Sequence, residues 1–119
     1  MIIMKNILII EDDVFLGDVL LERLKKEGFG AYLARDGAEG LQKIKELKPD
    51  LILLDIILPT MSGYEILEAK QKNHEIEKIP VIIISNSGQP VEINRALVLG
   101  AKDYFIKAQF DPGEVILKV

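Results

Sequence analysis

The chain contains no cysteine among its 119 residues, so no disulfide constrains it and the fold has to come from an apolar core. A chain of this length can bury one such core without a staple. The absence of thiols fits a reducing compartment, and the expectation is a cytoplasmic protein. Positive charge is also scarce. Fifteen Lys and Arg stand against nineteen Asp and Glu, for a net charge of -4, and the basic residues lie among acids, as in Glu22-Arg23 and Lys43 to Glu46. A surface that grips nucleic acid by itself needs a basic stripe, so no direct nucleic-acid contact by this domain is expected. No apolar run approaches the length of a membrane span. The opening Met1-Ile2-Ile3-Met4 is too short for a signal-peptide core, and acids follow within seven residues. No repeat, low-complexity tract or Pro/Gly/Ser linker interrupts the chain, which predicts a single domain over residues 1–119.

Three short runs are wholly apolar: Ile7 to Ile10, Leu51 to Leu54 and Val81 to Ile84. None alternates, and all are rich in β-branched or leucine side chains. This suits strands buried on both faces of a parallel sheet. Ala31 to Ala34 and Tyr104 to Ile106 are weaker strands of the same kind. Between them lie helical stripes: Leu16, Val19, Leu20 and Leu24, stopped by Gly28; Ala38, Leu41, Ile44 and Leu47, ended by Pro49; and a weaker pattern from Gly63 to about Lys72. Pro90 opens a fourth helix and Gly100 closes it. A fifth begins at Pro112, with only eight residues left in the chain. The alternation predicts an α/β fold, a doubly wound five-stranded parallel sheet with right-handed crossovers.

Ligands in such folds bind beyond the carboxyl ends of the strands, near the switch in strand order. The residues at those ends are Glu11-Asp12-Asp13, Asp55, Ser85-Asn86 and Lys107, so acids, a hydroxyl and a lysine should share one rim. Clustered carboxylates repel, and a hard divalent cation such as Mg²⁺ relieves them while keeping waters and bridging to phosphate. A lysine adds positive charge and a serine hydroxyl can bond a phosphoryl oxygen. These parts suit phosphoryl transfer, which depends mostly on positioning and charge neutralisation, and an aspartate can act as nucleophile to form an acyl phosphate. Asp13 reads instead as a helix N-cap. His74 lies in the polar stretch Lys72 to Lys78 and reads as solvated, a poor candidate for a phosphohistidine or metal ligand.

These residues resemble the receiver domains of two-component signalling, whose fold is flavodoxin-like. Glu11-Asp12 looks like the family's metal-binding pair. Asp55-Ile56-Ile57-Leu58-Pro59-Thr60-Met61-Ser62-Gly63 is similar to its phosphoacceptor motif, with proline four and glycine eight residues after the aspartate. Val81 to Ser85 looks like the strand ending in the switch hydroxyl, and Gly100 to Lys107 resembles the segment that carries the switch aromatic, Tyr104, and the family's lysine. The resemblance spans essentially the whole chain. It implies phosphorylation of Asp55 by a sensor histidine kinase or a histidine phosphotransfer protein, assisted by Mg²⁺ held by Asp55, by Asp12 directly, by Glu11 through water and by the Ile57 backbone carbonyl. It further implies roles for Ser85 and Lys107 at the phosphoryl group, a switch through Ser85 and Tyr104, and a homodimer through the face of the fourth helix, last strand and last helix. The domain would be no enzyme beyond catalysing its own phosphorylation and dephosphorylation.

The chain departs from the family in three places. Asn86 stands where a small alanine is common. Ala108 replaces the usual proline after the lysine, and because a cis bond before a non-proline residue costs about 2.5–4 kcal/mol, against about 0.5–1 before proline, a trans Lys107-Ala108 peptide is expected. The last helix is short for the family, as in a chain cut at a domain edge. Rival functions are weaker. An aspartate-based phosphatase of the haloacid dehalogenase type wants a second acid two residues after its nucleophile, where Ile57 stands. A nucleotide-binding module wants a glycine loop after the first strand, yet that loop is acidic, and neither GxGxxG nor GxxxxGK(S/T) occurs. A phosphorylation-independent interaction module is the alternative reading.

Overall fold

The computed structural model describes residues 5–107 and Gly113. Five strands, β1 (Asn6–Ile10), β2 (Gly30–Ala34), β3 (Leu51–Leu54), β4 (Val81–Ser85) and β5 (Asp103–Ile106), alternate with four helices, α1 (Val14–Lys26), α2 (Gly37–Leu47), α3 (Gly63–Gln71) and α4 (Pro90–Val98). The strands form one parallel sheet in the order β2-β1-β3-β4-β5. The expected doubly wound sheet is therefore present. The expected fifth helix and the Lys107-Ala108 peptide lie outside the described residues, and so does part of the expected dimer face. Among the described residues no helix is long and apolar enough to cross a membrane.

Successive side chains of a strand point to opposite faces, and here both faces are covered. Leu8, Ile10, Ile52, Leu54 and Ile83 pack with Ile44 of α2, Tyr64, Ile66 and Leu67 of α3, and Ala96 of α4. Ile7, Ile9, Leu51, Leu53, Ile82 and Ile84 pack with Leu20 and Leu24 of α1. The unbroken apolar runs of β1, β3 and β4 follow directly from this two-sided burial.

The helix boundaries have local causes. The Asp13 side chain accepts from the Leu16 amide at the start of α1, as its position before the stripe predicts. Ser62 and Glu65 form a capping box on α3. Gly28 and Gly100 adopt left-handed backbone after α1 and α4, the conformation that ends a helix at little cost to glycine. The stripe of α1 sits differently from expectation: Gly17, Leu20 and Leu24 are buried while Leu16 and Val19 are half-buried. Gly17 lets the helix lie close to Leu33 and Arg35. Leu47, the last residue of the α2 stripe, is exposed. The weak pattern of α3 has a specific origin in Lys70, which lies on the buried face and donates to the Glu77 carbonyl at 2.6 Å. Burial holds its ammonium below the ordinary lysine pKa.

Candidate functional site at the strand carboxyl ends

From β1 the chain crosses to β2 on one side and then returns past β1 to β3, so the switch in strand order falls between β1 and β3. Ile10 is in register with Leu54, and the next residues along, Glu11 and Asp55, leave adjacent strands together. Backbone bonds fix both: the Asp55 amide donates to the Ile10 carbonyl at 3.0 Å, and the Glu11 amide to the Ala34 carbonyl at 3.0 Å. Across β4, Ser85 is in register with Ile106, and the Lys107 amide donates to the Ser85 carbonyl at 2.7 Å. The sheet thus brings together residues that lie far apart in the chain.

Glu11, Asp12 and Asp55 each offer a carboxylate oxygen within 4.8 Å of the others. Glu11, Asp55 and Ser85 are buried, with 2%, 5% and 2% of their surface exposed, whereas Asp12 is exposed. The Lys107 ammonium bridges the two buried acids, 2.8 Å from Glu11 Oε1 and 2.9 Å from Asp55 Oδ2. Asp55 Oδ1 accepts from the Ile56 amide at 2.8 Å, and Glu11 Oε2 accepts from the Asp13 amide at 3.0 Å. Burial is the largest influence on Glu11 and raises its pKa to about 7, against the opposing bond from Lys107. Burial also disfavours the charge on Lys107, but the bonds to Glu11 and Asp55 outweigh it and leave the pKa of the ammonium above its ordinary value.

A cleft of about 360 Å³ opens over this cluster, lined by Asp12, Asp13, Asp55, Ile57, Ser85, Asn86 and Lys107. The Ile57 side chain stands at its mouth, 74% exposed. Ser85 Oγ accepts from the Ser87 amide at 3.2 Å, and Tyr104, half-buried against the α2–α4 core, donates its hydroxyl to the Ser87 carbonyl at 2.8 Å. His74 lies elsewhere, almost fully exposed and 3.5 Å from Glu77. The donor set suits a hard divalent cation: three carboxylates face one ammonium, the oxygens are close enough to share an ion, and Asp12 is open to solvent.

Several contacts around this rim have no plain signal in the sequence. The Tyr64 hydroxyl donates to the Glu92 carbonyl at 3.2 Å, and the Arg95 guanidinium lies 4.0 Å above the Tyr64 ring, joining α3 to α4. Thr60, in the loop after β3, bonds to the start of α2. The pairing of sequence-distant polar residues leaves no periodic trace, because these contacts arise only when the elements pack.

The response regulator receiver domain family matches residues 7–119. The DNA-binding response regulator MtrA of Mycobacterium tuberculosis is 32% identical over 115 residues, covering 97% of this chain and 49% of MtrA. This chain spans about half the length of the curated relatives it matches. Among solved structures, a CheY-like response regulator receiver domain protein from Methanospirillum hungatei has a TM-score of 0.89 at 31% identity, covering 98% of this chain and 90% of that one. The receiver domain of the Francisella response regulator 1452 has a TM-score of 0.89 at 26% identity, covering 96% and 92%. With the sheet order, the acidic rim and these matches in agreement, the chain belongs to the response regulator receiver domain family of two-component signalling.

Proposed function

We propose that this receiver domain is a phosphorylation switch that accepts a phosphoryl group on Asp55 from a sensor histidine kinase or a histidine phosphotransfer protein. The observation that carries the reading is the Lys107 ammonium bridging Glu11 and Asp55 beside Asp12, at the mouth of one cleft. In this reading an Asp55 carboxylate oxygen attacks phosphorus, the donor's phosphorus–nitrogen bond breaks, and the released imidazole takes up a proton. Asp12 and Asp55, with the Ile57 backbone carbonyl, would hold Mg²⁺ directly, and Glu11 would hold it through water. Mg²⁺, when bound, supplies charge neutralisation at the phosphoryl oxygens. Lys107 pairs with a phosphoryl oxygen, and the Ser85 hydroxyl turns to donate to another.

That turn links the chemistry to a surface. Ser85 Oγ is the acceptor for the Ser87 amide, and Ser87 in turn receives the Tyr104 hydroxyl. Drawing Ser85 towards the phosphoryl group alters this chain of bonds, frees Tyr104 to move, and biases the arrangement of α4 and β5. Whatever effector reads that surface is a partner of the whole protein.

The test is incubation with acetyl phosphate or phosphoramidate with and without Mg²⁺. One phosphate per chain should appear by intact mass, only with the metal, and not in Asp55→Asn. Undiminished incorporation in that variant overturns the assignment, and no incorporation in the wild type favours the phosphorylation-independent module.

A further inference from the structure

The loop after β3 carries a conformation that its sequence does not favour. Thr60 has φ 66°, in the left-handed region that a β-branched residue rarely occupies. It stands at the centre of a three-residue turn in which the Met61 amide donates to the Pro59 carbonyl at 2.8 Å. Such strain persists only where the surroundings over-determine it, and it marks sites where position matters.

Those surroundings are the start of α2. The Thr60 hydroxyl donates to Asp36 Oδ1 at 3.1 Å and accepts from the Ala38 amide at 2.9 Å. The Pro59 carbonyl also receives the Gly37 amide at 3.0 Å. A Cβ on Gly37 would lie 1.9 Å from the Met61 carbonyl oxygen, so the two backbones are in direct apposition and only glycine fits. Asp36 in turn caps α2 through the Glu39 amide at 2.9 Å. The other end of the loop is fixed by the Gly63 amide on the Ile56 carbonyl at 2.7 Å. Residues 57 and 58 therefore run between two anchored points, one on the backbone beside Asp55 and one on α2.

We propose that Thr60, held by Asp36 and the Ala38 amide, is a positioning residue for the phosphorylation site, fixing the loop that presents the Ile57 carbonyl. The inference rests on the proposed reading of the site, in which that carbonyl is a metal ligand. Thr60 touches neither metal nor phosphoryl group. Its hydroxyl offsets the strained backbone, and without it the turn relaxes and the carbonyl leaves the position the ion requires. A ligand held in place before binding costs less to order when the ion arrives.

The experiment is a Mg²⁺ titration of the full chain followed by backbone amide NMR, in the wild type, Thr60→Val and Thr60→Ser, with thermal unfolding measured without metal. Valine keeps the branched shape and the strain but removes the hydroxyl, whereas serine retains it. Loss of hydrogen bonds of this kind corresponds to a weakening of Mg²⁺ binding by about three- to tenfold in Thr60→Val, with binding restored in Thr60→Ser. A purely structural role would lower the unfolding temperature of Thr60→Val and leave its Mg²⁺ affinity unchanged, and that result overturns the proposal. Should Thr60→Val fail to fold, Thr60→Ala, which keeps a Cβ and with it the left-handed strain while removing the hydroxyl, carries the same test. Wild-type affinity in Thr60→Ala overturns the proposal equally. Absence of Mg²⁺ binding in the wild type would overturn the reading of the site together with this inference, whereas normal binding in the hydroxyl-less variants overturns the inference alone.

Discussion

Lys107 reaches the acids from β5, two strands away from the Asp55 strand, across a separation of roughly two strand spacings of about 4.8 Å each. Only a long side chain spans that gap past Ser85, and its flexible stem delivers a point charge to two carboxylates at once. Ile57 is the complementary case. Its side chain is apolar and exposed at the cleft mouth, where it can shield but cannot orient a water. Hydrolysis of an acyl phosphate at Asp55 needs water in line with the phosphorus. A positioned general base typically contributes ~10²–10⁴-fold to a rate. The phosphorylated wild type should therefore outlast Ile57→Asn and Ile57→Glu when decay is followed in Mg²⁺ after removal of the donor. Decay in the wild type as fast as in both polar variants would show that Ile57 is no shield.

At the scale of elements, polar ties at the starts of α2 and α3 add to the packing of their apolar faces. The Asp36 carboxylate accepts from the Glu39 amide and from the Thr60 hydroxyl, and these bonds hold its pKa below the ordinary aspartate value, the Glu39 bond most. For an acid depressed in the folded state, the unfolded chain binds more protons as the solution is acidified. Its contribution to stability is therefore complete above about pH 4, its unfolded value, and is lost as pH falls through the lower folded pKa. Asp36→Asn keeps a capping oxygen without the titrating charge. Stability measured by urea unfolding between pH 5 and pH 2 should fall less steeply in Asp36→Asn than in the wild type, and identical slopes would exclude Asp36 from the acid response. The hold on α4 is of another kind: it lacks a side-chain cap, buries only Ala96 fully, and leans on Tyr64 through Glu92 and Arg95. An element held so lightly is suited to shift when the loop before it moves.

For the molecule as a whole, the sheet is the rigid frame and the rim is where the carboxyl ends of β1, β3, β4 and β5 meet. The core strands are packed from both sides, so a change at Asp55 should travel along the rim and not through the sheet. Phosphorylation in Mg²⁺ should move amide resonances of Ser87, of α4 and of β5 around Tyr104, while those of β1 and of the distal turns of α1 stay in place. Shifts confined to the loop around Asp55 would refute a propagated switch. The path is short because Ser85, Ser87 and Tyr104 are joined by two hydrogen bonds.

Much of this was legible in the chain itself. Unbroken apolar runs marked the central strands because a strand buried on both faces has no polar side to show, and glycine and proline marked the helix ends because their backbones leave few alternatives. The acids, the serine and the lysine could be placed on one rim because parallel strands all point their carboxyl ends the same way. The structure alone decided the rest. Register between β1 and β3 set Glu11 beside Asp55, the width of the sheet made Lys107 a bridge between them, and the burial of Glu11 arose from neighbours distant in sequence. The strained turn at Thr60, its bonds to Asp36 and Ala38, and the Tyr64–Arg95 contact also depend on the apposition of separate elements. Periodicity records which face of an element meets the core. It does not record which polar atom across a loop will meet another, because that depends on distances fixed only when the elements pack.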